Sequence, residues 1–303
     1  MTPTHVSVMV KEVLEVLPLV PGATVVDGTL GLAGHATEMA KRISPGGLIV
    51  GLDWDKDMLE KAKARLQGLK DVDVATAHDD YRAIPEVFAK VCAEYDRNPV
   101  ADAVMLDLGL SNVHLEDPSY GISFLREGPL DMRMDRTKGE PASAWINRAA
   151  PKEIEDVLFS LGNERWARKI AQVVVERRKV RPILTTTDFV ECVMAAIPAA
   201  KRDKRIHPAT RSFQAVRIHS NKELDDLEEA MRKIAEVLKK GGVMCVLSYH
   251  SGEDRAVKHA FRELSSSGRF EELFKKPLVP SQAEVSANPK ARSAKMRAVR
   301  RVS

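Results

Sequence analysis

The chain has few of the residues that mark secreted, metal-bound or membrane-spanning proteins. Its three cysteines, Cys92, Cys192 and Cys245, are scattered through 303 residues without C-x-x-C spacing. That argues against a disulfide framework or a zinc site, and the thiols are expected to pack as small apolar groups. No metal is expected. No apolar run is long enough to span a bilayer. The amino-terminal stretch MTPTHVSVMVKEVLEVL has neither the basic head nor the cleavage site of a signal peptide, so the expected location is cytoplasmic. Internal repeats and low-complexity tracts are absent. So is any extreme of charge: the formal net charge of +4 permits a nucleic-acid partner without demanding one. What remains, 44% hydrophobic and 30% charged, is an ordinary globular chain with room for one large domain or two smaller ones.

Residues Ala23 to Asp55 read as one βαβ unit. Thr24–Asp27 is a short apolar run suited to a buried strand. Glycines follow at Gly28, Gly31 and Gly34, where the chain should turn into a helix over Ala36–Arg42, stopped by Ser44-Pro45-Gly46-Gly47. Leu48–Leu52 is a second apolar strand ending in Asp53, 26 positions after Asp27. In a Rossmann-type crevice an acid at that place receives two ribose hydroxyls. The glycines fall three apart, which is not the G-x-G-x-x-G of dinucleotide sites. A turn that need not seat a pyrophosphate suits S-adenosylmethionine better than a nicotinamide dinucleotide.

Around this unit the pattern repeats. Val10, Val13, Leu14 and Leu17 make a helical stripe over Val8–Leu17, with His5 before it as a capping or functional residue. Lys56–Leu69 is a helix with Met58, Leu59, Ala62 and Leu66 on one face. Val72–Ala77 is a third strand, and its polar end His78-Asp79-Asp80-Tyr81 could hold an adenine edge and stack its face. Ile84–Tyr95 is a helix, and Ala103–Leu106 is a fourth strand that leads into Asp107-Leu108-Gly109-Leu110-Ser111-Asn112. The rhythm then stops. From Val113 to Pro208 the signals are helical: Ala142–Arg148, then Lys152–Leu161 behind Pro151, then Glu164–Arg178 capped by Asn163, then Asp188–Ala196 capped by Thr187. This reads as a helical domain, residues 113–208, inserted into an α/β domain formed by residues 1–112 and 209–303. Its basic clusters (Arg165, Arg168, Lys169; Arg177, Arg178, Lys179, Arg181; Lys201, Arg202, Lys204, Arg205) point to a phosphate-backbone partner. The α/β pattern resumes with a helix over Glu223–Leu238 closed by Gly241-Gly242, a fifth strand Val243–Leu247, a helix over Glu253–Leu264, and a last strand near Met296–Val302.

The polar segments at the strand ends resemble a known family. Asp27-Gly-Thr-Leu-Gly, Gly34-His35, Asp107-Leu-Gly, Gly128-Pro-Leu-Asp-Met-Arg-Met-Asp135, His207-Pro-Ala-Thr-Arg-Ser-Phe-Gln-Ala-Val-Arg-Ile218, His250-Ser with Glu253-Asp-Arg255, and Asn288-Pro-Lys-Ala-Arg-Ser-Ala-Lys-Met-Arg297 occur in this order. They are similar to the RsmH (MraW) family, S-adenosylmethionine-dependent methyltransferases that make N4-methylcytidine in bacterial 16S ribosomal RNA. The resemblance implies a class I (Rossmann-like) methyltransferase domain interrupted by a helical domain. It implies cofactor contacts at Ala33, Gly34, His35, Asp53, Tyr81, Asp107 and His114. It implies 16S rRNA in the small ribosomal subunit as partner, with the chain a monomer or homodimer. The chain departs from the family at Ala33, where a glycine is usual, at Tyr81 and Tyr249, where phenylalanine is usual, and over Ser111-Asn112-Val113-His114, where Ser-Ser-Pro-Gln is usual.

The cytosine exocyclic amine is a poor nucleophile, because its lone pair is delocalised into the ring. Catalysis there is mostly alignment and desolvation, and an acceptor for an amine proton sharpens the nitrogen. The Asn/Asp-Pro-Pro-Tyr turn of many amino-methyltransferases is absent. The candidates are the Asp107 carboxylate, the Ser111 hydroxyl and backbone carbonyls of the Asp107–Ser111 turn, with His250 a second candidate for orienting the base or taking the proton. Pro129–Asp135 is expected to wall a cleft between domains. His207, Arg211 and Arg217 are expected to clamp phosphate. Arg133, Arg211 and Arg255 either contact substrate or hold the domains together. Two other functions fit the same features: an amino-methyltransferase acting on DNA, and a non-catalytic RNA-binding ribosome assembly factor.

Overall fold

The computed structural model describes residues 7–203 and 205–303; His5 and Lys204 lie outside the described residues. The chain forms two compact units. One runs to Gly109 and resumes at Asp226; the other is Leu110–Asp225.

The first unit is built on one seven-stranded sheet. Its strands are β1 (Thr24–Asp27), β2 (Gly47–Asp53), β3 (Val72–His78), β4 (Ala101–Asp107), β5 (Leu238–Ser248), β6 (Phe270–Glu272) and β7 (Lys295–Arg301), in the order β3-β2-β1-β4-β5-β7-β6. The first five are parallel, and β7 runs antiparallel between β5 and β6. This is the class I methyltransferase arrangement expected above. Every residue of β1 and β2 is buried, the signature of parallel strands covered on both faces. The strand order reverses between β1 and β4, so their carboxyl ends open the crevice in which doubly wound sheets bind ligands. Asp27 and Asp107 close β1 and β4 there, and Asp53 closes the neighbouring β2.

Two expectations in this unit shift. The helix before β5 is Leu227–Ala235, and Leu238 already belongs to β5, fully buried and paired with Ala101. Gly241-Gly242 therefore lies inside the strand rather than capping the helix. Gly241 has a φ of +81°, and a Cβ on Gly242 would approach the Ala101 carbonyl to 2.8 Å. The sheet edge β6 has no recognisable pattern in the sequence.

The second unit is helical among the described residues. Its principal helices are Ala142–Arg148, Pro151–Gly162, Ala167–Val180, Thr186–Ala196 and Thr210–Asn221. They enclose a core that includes Ile154, Leu158, Ile170, Val174, Phe189, Phe213 and Val216. The unit ends at Asp225, not at Pro208. The helix Thr210–Asn221 belongs to it because Ala209, Phe213, Ala215 and Val216 fill this core. At the crossing with Pro151–Gly162, a Cβ on Gly162 would lie 2.5 Å from the Arg211 carbonyl. Asn163 is the C-terminal cap of the preceding helix, at φ 49°, and the next helix starts only at Ala167. Asparagine tolerates that left-handed conformation better than most residues. The cap of the following helix is Thr185 in place of Thr187: its hydroxyl accepts from Asp188 N at 3.1 Å, and the Asp188 carboxylate accepts from Thr185 N at 3.0 Å.

The segment Gly128–Asp135 packs within this unit. Leu130 and Met132 are fully buried in its core. Asn221 ties the segment to the last helix through Met132 O and Met134 N. No helix among the described residues is long and apolar enough to cross a membrane. Cys92, Cys192 and Cys245 are free and buried, and burial pushes the Cys192 thiol up to about 11.

Candidate active site

The carboxyl ends of the parallel strands gather three carboxylates and a histidine. Asp53 ties the glycine turn: its Oδ2 accepts from Gly31 N at 2.7 Å and its Oδ1 from Asp55 N at 2.8 Å. Gly31 takes a φ of +53°, the left-handed conformation that glycine adopts without a Cβ penalty. Ala33, two residues on, adopts φ 58° with a Cβ and is fully buried. That explains why glycine is usual at this place in the family it resembles. Gly34 opens the helix Gly34–Ile43, and a Cβ on it would fall 1.9 Å from Ser7 Oγ. Gly28 has a different reason. A Cβ there would meet Leu106 Cδ2 at 2.4 Å and Ile84 Cδ1 at 2.7 Å, so its role is packing between strand and helix.

His35 stands on the first turn of that helix, 7% exposed, with Nε2 3.6 Å from Asp107 Oδ2. The gap is too long for a hydrogen bond but close enough for the charges to interact. Both ring nitrogens of His35 are buried without a hydrogen-bond partner among the described residues. Asp107 is held from several sides. Its backbone N–H donates to Thr29 Oγ1 at 2.6 Å, its Oδ1 accepts from Gly109 N at 3.1 Å, and its carboxylate is near enough to the Tyr249 phenol for its charge to act on that group. Burial, reinforced by the Asp107 charge, raises the Tyr249 phenol well above its ordinary pKa, so it stays a proton donor. Tyr81 is buried directly after β3, beside Gly28, with the Arg82 guanidinium 4.8 Å from its ring centre.

Two residues of the site, Asp27 and Tyr249, are not singled out by the sequence pattern. Asp27 is 2% exposed, and burial pushes its carboxyl up to about 7. His35 and the Thr29 N–H oppose that shift, while the Asp107 and Asp53 charges add to it. The available signal is an acid at a strand end beside a glycine turn, with two more acids at neighbouring strand ends. Tyr249 is visible only as a departure from phenylalanine.

Its ring lies over Gly109, where a Cβ would come within 2.5 Å of Cε2. Gly109→Ala must therefore displace the Tyr249 ring and loosen Asp107. We expect at least a tenfold loss of turnover with only a modest loss of stability, about 1–3 kcal/mol for overpacking. Parallel measurement of kcat and urea unfolding checks this; unchanged kcat would mean that the Tyr249 contact does not matter.

The remaining candidates sit elsewhere. His250 caps the helix Ser251–Ser266: its Nδ1 accepts from Gly252 N and Glu253 N, and its Nε2 is 3.1 Å from Glu253 Oε1. Arg255 is exposed on that same helix. In the helical unit, Ser111 accepts from His114 N at 3.2 Å, and buried His114 meets the Tyr120 ring edge-on at 4.9 Å. Arg133 closes on the Asp131 carboxylate and on the carbonyls of Arg136, Lys138 and Gly139. Arg217 makes a two-pronged pair with Glu223 at 2.8 and 2.7 Å, within its own unit. These partners occupy the guanidinium donors that a phosphate clamp would use. His207 and Arg211 instead line a cavity of the helical unit.

A sequence profile of the MraW methylase family matches residues 2–302. A protein of Citrifermentans bemidjiense named ribosomal RNA small subunit methyltransferase H is 38% identical over 313 residues, covering 98% of this chain and 98% of its own. A protein of the same name from Syntrophotalea carbinolica is 41% identical over 313 residues, again with 98% of each chain covered. Among solved structures, an rRNA methylase from Streptococcus thermophilus is similar at a TM-score of 0.39 and 11% identity, over 97% of this chain and 94% of that one.

Proposed function

The chain belongs to the MraW methylase family, and from that premise we propose that it transfers the methyl group of S-adenosylmethionine to the exocyclic N4 amine of a cytidine in small-subunit (16S) ribosomal RNA. The observation that carries the cofactor is the acid cluster. Asp27, Asp53 and Asp107 stand close enough at the strand ends that the other two raise the proton affinity of the first, and burial leaves Asp27 balanced near neutrality. Such a site favours a cation. S-adenosylmethionine brings a sulfonium and an ammonium, and the unpartnered nitrogens of buried His35 add polar groups awaiting a ligand.

When bound, the cofactor supplies an activated methyl group on a positive sulfur. The chain does the rest. Asp53, whose oxygens fix Gly31 N and Asp55 N at the end of β2, would receive the ribose hydroxyls. Ala33, Gly34 and His35 would hold the cofactor from the turn after β1, Tyr81 would receive its adenine, and the family resemblance assigns His114 to the same ligand. Asp107 is the acceptor we favour for the amine proton. Thr29 and Gly109 hold it in place beside the Tyr249 phenol, so little reorganisation is needed as the nitrogen turns pyramidal. Ser111 and the carbonyls of the Asp107–Ser111 turn remain alternative acceptors. His250, already capping a helix, fits an orienting role. The names of the relatives support ribosomal RNA of the small subunit as substrate, and a substrate of that kind is the reason we place the protein in the cytoplasm.

The test is transfer of labelled methyl from S-adenosylmethionine to small ribosomal subunits from cells lacking the modification, followed by nucleoside analysis. Label in N4-methylcytidine is the expected result. Label on another nucleoside sinks the N4 assignment, and label on DNA instead of subunits sinks the RNA assignment. Failure to bind the cofactor in calorimetry would favour a non-catalytic assembly factor.

A further inference from the structure

The helical unit contains a cavity of about 660 Å³, within the range of sites that hold a nucleotide-sized ligand. It is lined where the loop before Thr210 passes the turn before Ala167. The side chains there include the cations Arg165, Lys201, Arg202, Arg205 and Arg211, and the acids Glu164 and Asp203. The acids are already engaged. Glu164 is 3% exposed and accepts from Trp166 N at 2.9 Å. Asp203 accepts from Arg205 N at 2.8 Å, with the Arg205 side chain 3.5 Å away, and these contacts hold its carboxyl below the usual range. Arg202 is also occupied, donating to the carbonyls of Ile197 at 3.1 Å and Met194 at 2.8 Å. Arg165 and Lys201 pair with no carboxylate among the described residues. Arg211 is half-buried on the wall and acts on Asp203 only through its charge.

Two flat rings complete the lining. Trp166 is half-buried and packs against the core of the unit. His207 stacks on Phe124 with centroids 4.6 Å apart and 30° between planes. Its Nδ1 accepts from Ala209 N at 3.2 Å, which puts the proton of the neutral ring on Nε2 and makes that atom a donor. A concave surface with surplus positive charge, fork-shaped donors and aromatic faces matches single-stranded nucleic acid. Phosphates take the cations and unstacked bases take the rings.

We propose that this cavity seats a single-stranded stretch of the substrate RNA, with Arg165, Lys201 and Arg211 on its phosphates and Trp166 and His207 as stacking faces. The proposal rests on the reading of the protein as an RNA methyltransferase. It adds a strand-holding site, formed wholly within the helical unit, to the methyl-transfer site.

The test uses the full chain and a fluorescein-labelled single-stranded oligoribonucleotide, titrated by anisotropy over a range of salt concentrations. Each phosphate contact on a single strand contributes about 0.7 to the slope of log K against log salt. Arg165→Gln with Arg211→Gln should therefore lower the slope by about 1.4 and weaken binding roughly 10–30-fold near 0.1 M salt. Thermal melting of the variant checks its fold. Should that variant not fold, Lys201→Gln, which changes an exposed side chain, should lower the slope by about 0.7 alone. Unchanged slope and affinity in a folded variant overturn the proposal. Competition by cytidine monophosphate or inorganic phosphate as effective as unlabelled RNA also overturns it, because the site would then hold a small anion and not a strand. Methyl transfer is scored separately. A lowered slope in a protein that methylates no RNA would keep the strand site and remove the methyltransferase reading; methylation with an unchanged slope would do the reverse.

Discussion

Asp107→Ala is expected to lower kcat for methyl transfer by about 10²–10⁴, the range for loss of a positioned proton acceptor. The change removes the carboxylate that Gly109 N holds at the end of β4, beside the Tyr249 phenol. Asp107→Asn should fall between the alanine variant and the native protein, since an amide oxygen still accepts from Gly109 N but carries no charge. Because Asp107 is itself proposed to touch the cofactor, affinity for S-adenosylmethionine must be measured beside the rate. Single-turnover transfer at saturating cofactor isolates the chemical step. A rate within about threefold of native at saturation would remove Asp107 as acceptor and turn attention to Ser111 and the turn carbonyls.

The second large effect concerns pH. Burial raises the Asp27 carboxyl from 3.8 to about 7, against the pull of His35 and the Thr29 N–H and with the help of Asp107 and Asp53. A raised carboxyl keeps a proton in the folded chain that the unfolded chain has already released. Its contribution to stability is therefore fully present below about pH 3.8 and is lost as pH rises through about 7. Three pK units at about 1.4 kcal/mol each put the effect at about 4 kcal/mol at most. Asp27→Asn removes it. Denaturant unfolding at a series of pH values should show native stability declining relative to the variant from about pH 4 to about pH 7 and levelling off above that. Parallel curves would mean that Asp27 titrates as an ordinary carboxyl. The same group links cofactor to protons: a bound cation favours the ionised carboxylate, so affinity for S-adenosylmethionine should rise from about pH 6 to about pH 8 in the native protein and stay flatter in Asp27→Asn.

Much of the fold is legible in the order of residues. Apolar runs of four to seven residues with acids at their ends mark β1, β2 and β4, because fully buried parallel strands leave a continuous hydrophobic signature. The break in the strand–helix rhythm after Asn112 marks the helical unit. Its far boundary is not legible, because the helix Thr210–Asn221 is amphipathic in a way that would suit either core. The close approach at Gly162 and the burial of Phe213 decide which core it joins. Arginines mislead for a related reason. Arg133, Arg211 and Arg217 are equivalent in a sequence, but Asp131 and Glu223 are near enough to take the first and third.

Short-range patterns suffice for the family, the parallel half of the sheet and the row of acids at its carboxyl edge. Strand periodicity, glycine turns and motifs in fixed order are all properties of neighbours along the chain. What each group does at that edge depends on neighbours in space. Asp27 is balanced near neutrality because folding strips its water and brings Asp53 and Asp107 beside it. Tyr249 supports Asp107 because its ring packs directly over Gly109, where no Cβ intervenes. The cations of residues 165–211 form a site because the loop before Thr210 and the first turn of the helix after it bring Lys201 and Arg211 to Arg165, a proximity that no short-range pattern carries. Desolvation and charge coupling arise only when the chain closes on itself, so no linear pattern carries them.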